Sequence, residues 1–165
     1  MLIEDIQDRT ARLEKYVSKV EAQQKAMVEA IARGDFEAFS EEDVRFHLSH
    51  DPDMIADAGL FLAKLRRAYE YAKNDTSTIR SKIRLAATRR KEELGLSSAS
   101  DRDDYVQTNP EYQKAKDQEI EWKYNVERME VVYDRYQNLF AGSRKIANLI
   151  EKDNMNNYRI EKYGD

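Results

Sequence analysis

Apolar residues recur at alternating spacings of three and four along most of the chain, and nowhere alternate with period two over a strand length. Helices are therefore predicted throughout. Over residues 1–34 the pattern is a heptad: a positions hold Ile3, Thr10, Val17, Gln24 and Ile31, and d positions hold Ile6, Leu13, Val20 and Met27. Seven of these nine are apolar, which predicts a coiled-coil helix stopped by Gly34 and Asp35. Thr10 and Gln24 weaken such a seam while fixing its register. The stripe Ile3, Ile6, Leu13, Val17, Val20, Met27 and Ile31 serves either self-association or a helix folding back on its own chain, and self-association is expected.

Residues 35–52 read as a connector with a short helix, capped by Ser40 ahead of three acids and broken at Asp51-Pro52-Asp53. Residues 53–153 read as a long helical hairpin. Its first helix reaches about Leu94 on the stripe Leu62, Leu65, Tyr69, Ala72, Thr76, Ile79, Ile83 and Ala86, with poor helix formers at 74–78 that could kink or break it. Residues 95–110 are small and polar and are expected to form a loop; Asn109-Pro110 opens the last helix. That helix carries a broad aromatic stripe including Tyr112, Trp122, Tyr133, Tyr136 and Phe140, and residues 154–165 are expected to fray. The fold class expected is all-α: a long antiparallel hairpin preceded by a coiled-coil helix. It is expected to be oligomeric, because the stripe is wider than one hairpin seam covers.

Composition narrows the chemistry. There is no Cys among 165 residues, which excludes disulfides, thiolate metal sites and a Cys nucleophile. The opening residues lack an apolar core, so no secretory signal is expected, and the apolar run 58–63 is far too short to span a membrane. A cytoplasmic protein is expected. The five glycines are scattered singly, so no phosphate-binding or nucleophile-elbow motif forms. His47 and His50, near Asp51 and Asp53, lack the further ligands of a metal centre. The acids from Asp101 resemble a calcium loop but put Val106 and Tyr112 where Gly and Glu are needed. No catalytic residue, metal or cofactor is expected.

Charge supplies the positive signal. The chain carries −4 overall, yet the segment from Lys64 to Lys91 holds ten bases (Lys64, Arg66, Arg67, Lys73, Arg80, Lys82, Arg84, Arg89, Arg90 and Lys91) against Glu70 and Asp75. Rows of cations along a helix suit a phosphate backbone and carry no base-reading element, so sequence-independent binding of a polyanion is expected. Tyr69 and Tyr71 could stack on bases or simply pack. The competing expectation is that acids elsewhere in the chain neutralise these bases.

The order of a basic helix, a Ser/Asp-rich loop, Asn109-Pro110 before Tyr112 and a long helix ending FAGSRKIANLIEK resembles phage recombination mediator proteins of the UvsY type, over roughly residues 53–153. The resemblance implies a non-enzymatic homo-oligomer in the host-cell cytoplasm. It would bind single-stranded DNA and help load a RecA-like recombinase onto DNA coated by single-strand binding protein. The ten bases would then be the DNA contacts, with Arg144 and Lys145 as weaker additions. The alternative is an oligomeric coiled-coil adaptor or inhibitor that grips a protein partner without nucleic acid.

Overall fold

A computed structural model describes residues 3–35 and 41–163, the side chains of residues 3, 4, 41, 44, 47, 156–159, 161 and 163 excepted. The described residues form four helices and no strand: α1 (Ile3–Ala32), α2 (Glu41–Arg89), α3 (Ala99–Thr108) and α4 (Pro110–Tyr163). They belong to two compact units. Residues 1–61 with 129–165 form one, and residues 62–128 the other.

Helix α1 ends as its sequence predicts. Gly34 takes φ +75°, the Asp35 N–H reaches the Ala30 carbonyl and the Gly34 N–H reaches that of Ile31. That pair of bonds closes the last turn, and only glycine adopts the left-handed conformation without strain.

In the first unit the heptad stripe is closed within the chain. Ile6, Leu13, Val17, Val20 and Met27 are buried, as are Ala58 and Phe61 of α2 and Met129, Val132, Tyr136, Leu139 and Ile146 of α4 in the same unit, and Met27 packs on Ile146. Ile31 packs half-buried on Met27 and Ile146; the Ile3 side chain lies outside the described residues. The pattern expected to reach a second copy is therefore occupied by the chain itself. Tethered helices meet at far higher effective concentration than separate molecules do. At Gly59, α2 comes so close to α4 that an added Cβ would stand 3.2 Å from the Tyr133 ring.

The polar heptad residue Gln24 sets the register. Its amide donates to the Leu139 carbonyl (2.6 Å) and to the Ser143 hydroxyl (2.7 Å), and Ser143 donates in turn to Asp51 (3.2 Å). Asp51 and Ser143 are buried, so each contact replaces water that neither can reach. Around the rim, Arg9 makes a two-pronged pair with Asp57 (2.8 and 2.7 Å), and Arg135 pairs with Glu21 (2.8 Å). The Tyr136 ring stacks on Tyr16 at 6.0 Å, yet its buried hydroxyl has no hydrogen-bond partner among the described residues.

Three expected breaks are absent. Helix α2 runs through Pro52, whose missing N–H removes one helical bond. Packing on either side, by Leu48 toward Met27 and Ile146 and by buried Asp51 and Ala58, holds the helix together there. The expected Ser40 cap lies outside the described residues. At 74–78 the helix continues because the buried Thr76 hydroxyl is satisfied by the carbonyls of Ala72 (2.9 Å) and Ala115 (3.1 Å). Helix α4 continues to Tyr163 rather than fraying near 153.

The loop expected at 95–110 is mostly helix α3. Ser98 accepts from the Asp101 N–H (3.0 Å) while the Asp101 carboxylate accepts from the Ser98 N–H (2.7 Å), a reciprocal cap at the helix start. These bonds hold the Asp101 carboxyl below its usual pKa. In the second unit Val106 of α3 packs with Ile83 and Tyr112. Asn109 then closes α3 through its N–H to the Val106 carbonyl and opens α4 by accepting the Glu111 N–H at 3.0 Å. Along α2 it is Ala87, not Ala86, that is buried.

Ser143→Ala should lower unfolding free energy by about 1–3 kcal/mol in denaturant titration, because Asp51 and Gln24 both lose a buried partner. The pH profile should fall at both ends. Burial pushes the Tyr136 phenol well above its usual pKa, with Tyr16, Asp51 and Asp57 adding to the shift. Stability that is intact below about pH 10 is lost as the solution becomes more alkaline. At the acid end Glu21, held low by Arg135, loses its contribution as pH falls through its folded pKa. Tyr136→Phe should flatten the alkaline fall and leave neutral-pH stability equal or higher, since the hydroxyl it removes is unpaired.

Candidate nucleic-acid interface

All ten bases of the 64–91 segment belong to the second unit, and all are exposed. Leu62, Leu65, Thr76, Ile83 and Ala87 point α2 inward, so the helical period spreads the bases over the remaining face. Lys64, Lys82 and Arg89 fall on one flank. Arg66, Lys73, Arg80 and Arg84 fall on the other, and Arg90 and Lys91 sit in the turn that follows.

The flanks differ in how far they are neutralised. Arg84 and Arg80 both face Asp103 of α3, at 3.5 and 4.0 Å from one carboxylate oxygen that accepts no hydrogen bond among the described residues. Lys73 lies 3.9 Å from Glu70, and Arg90 pairs with Glu93 at 2.8 Å. These are exposed pairs, each worth about 0–1 kcal/mol, which a phosphate can displace. Among the described residues Lys64, Lys82, Arg89 and Lys91 make no ion pair. Neutralisation by acids is thus confined to part of the segment.

The tyrosines separate likewise. Tyr69 is half-buried with Lys73 6.0 Å over its ring, whereas Tyr71 is 62% exposed. Arg67 lies 5.6 Å over the Tyr71 ring and donates to its hydroxyl at 3.1 Å, which raises the already high guanidinium pKa. Arg144 and Lys145 are exposed in the other unit, Arg144 lying 5.9 Å over Phe140.

The remaining candidates stand apart from this face. The His50 ring stacks on Phe46 at 4.1 Å and its Nδ1 meets the Ser49 hydroxyl at 3.0 Å, while the His47 side chain lies outside the described residues. Among the described residues no group of three or more His, Asp or Glu side chains is placed to hold a metal, and no helix is long and apolar enough to cross a membrane. Sequence reasoning missed the Asp103 pairing because it read α3 as loop; Ser98 with Asp101 three residues on was the available signal.

No known protein family, curated protein or solved structure matches the chain.

Limited trypsin digestion should cut first at Arg90 or Lys91, in the exposed turn between α2 and α3. Ser98→Ala removes the reciprocal cap, costs α3 about 0.5–2 kcal/mol, and should bring Arg102 into the early cleavage products. Mass mapping of the fragments reads both outcomes.

Proposed function

We propose that this protein binds single-stranded nucleic acid without sequence preference through the exposed cations of α2, and acts as a non-enzymatic recombination mediator. The observation that carries the binding is the set of cations with no ion pair among the described residues, Lys64, Lys82, Arg89 and Lys91, within ten solvent-facing bases of one unit. The mediator role, with a RecA-like recombinase and single-strand binding protein as partners, rests on the sequence resemblance to UvsY-type proteins. In the unit of residues 1–61 and 129–165, the Asp51–Ser143 bond and the close approach of Gly59 to Tyr133 support the antiparallel course expected of α2 and α4. Self-association in this reading uses a surface other than the α1 seam, and several subunits on one strand turn weak binding into useful affinity.

The adaptor reading draws support from Asp103, which ties Arg80 and Arg84 internally, and from the exposed apolar side chains Ile120 and Tyr124 on α4. One experiment separates the two. Fluorescence anisotropy with labelled oligo-dT should give a log affinity that falls with log salt by about 0.7 per neutralised phosphate. Replacing Lys64, Lys82, Arg89 and Lys91 together with Gln should weaken binding equally on all sequences. It should also reduce that slope by about 0.7 for each phosphate left without its cation, with helicity unchanged. Full affinity in the variant, or no binding by the parent, rejects the proposal and leaves the adaptor.

A further inference from the structure

Cations account for attraction to phosphate but not for a choice between a single strand and a duplex. Alongside them the second unit has an open cleft of about 620 Å³ lined by Tyr71, Asn74, Asp75, Thr78, Gln118 and Trp122. Tyr71 keeps most of its ring in solvent, and the Arg67 guanidinium above it restrains the side chain. Trp122 is half-buried, with part of its indole accessible. Among the described residues the side chains of Asn74, Asp75, Gln118 and Trp122 make no hydrogen bond or ion pair. Two aromatic faces therefore stand beside two amides with open donors and acceptors and one carboxylate that accepts. Helical spacing brings cations to the same flank, since Lys64 precedes Tyr71 by two turns and Lys82 follows Asp75 by two turns.

We infer that this cleft receives an unpaired nucleobase of a bound single strand. The ring stacks on Tyr71 and Trp122, Asn74 and Gln118 meet the polar edge of the base, and Asp75 accepts from an N–H of that edge, the ring N3–H of thymine or an exocyclic amine of the other bases. Lys64, Arg67 and Lys82 hold the neighbouring phosphates. Charge complementarity selects the occupant: an apolar peptide leaves the amides and cations unmatched, and a polyanion without bases leaves the aromatics bare. A base locked in a duplex stack cannot enter, so the cleft supplies the preference for single strands that the lysines lack. The inference rests on the nucleic-acid reading above and adds a base-binding subsite to it.

Trp122 is the chain's single tryptophan, so its emission reports the cleft directly. The 165-residue chain is titrated with oligo-dT and with an abasic phosphodiester oligomer of equal length and charge, following tryptophan emission and the anisotropy of an end label together. Both oligomers should bind, dT more tightly, and only dT should quench Trp122. Tyr71→Ala should weaken dT binding about 5- to 150-fold and leave the abasic oligomer unaffected. Tyr71→Leu, which keeps apolar bulk on the helix, should act in the same direction and covers the case in which the alanine variant folds poorly. Equal binding of the two oligomers without quenching, or unchanged dT affinity in both Tyr71 variants, refutes the subsite while leaving the basic face in place. Failure of the parent to bind either oligomer refutes both.

Discussion

A side-chain amide drawn partly out of water must find its hydrogen bonds inside the protein, and in the unit built from residues 1–61 and 129–165 the packing depends on where the half-buried Gln24 finds them. Its donors reach the Leu139 carbonyl and the Ser143 hydroxyl, and Ser143 passes the connection on to the Asp51 carboxylate. One chain of polar contacts thus links α1, α4 and α2 at a single level. Apolar side chains tolerate a shift along a helix far better than this arrangement does, because a one-turn slip would break the contacts of the Gln24 amide and the Ser143 hydroxyl together. The surrounding Ile, Val and Leu supply the burial, and the polar contacts select which of several similar packings is adopted.

The second unit uses polar groups differently. Its buried hydroxyl, Thr76, joins α2 to the Ala115 carbonyl of α4, and its exposed charges are divided unequally. Asp103 reaches the unit's surface only because residues 99–108 are helical, and it partly neutralises Arg80 and Arg84. The opposite flank carries Lys64, Lys82 and Arg89, which make no ion pair among the described residues, and borders the Tyr71–Trp122 cleft. Positive charge and exposed aromatic surface therefore share one side of α2.

The helical content, the end of α1 at Gly34 and the start of α4 at Asn109-Pro110 were all legible in the sequence, since each depends on local chemistry: periodicity, a left-handed glycine, a proline at a first turn. The misreadings arose where distant contacts overrode local preference. Pro52 looks like a break until Leu48 and Ala58 are seen anchored on either side of it. The heptad of α1 looks intermolecular because spacing alone does not say which molecule fills the seam. Ala86 and Ala87 differ by one helical position, finer than a stripe resolves. Residues 99–108 were misread for another reason, as their small polar composition outweighed the reciprocal Ser98–Asp101 cap. For the candidate site, sequence located the basic helix but gave neither the division of its charges nor the cleft, both of which involve residues on α3 and α4.

Gly142 gives the Gln24 interaction a counterpart far along the chain. A Cβ there would stand 2.6 Å from the Gln24 side-chain oxygen, so the absence of a side chain at 142 is what gives the amide its room. The two positions form one unit of sequence. A lineage that acquired alanine at 142 would have to shorten or move the residue at 24, and one without the amide at 24 would release the constraint on 142. Drift at either site is conditional on the other, and the order in which two such changes arise decides how much of the Gln24 hydrogen bonding the intermediate protein keeps.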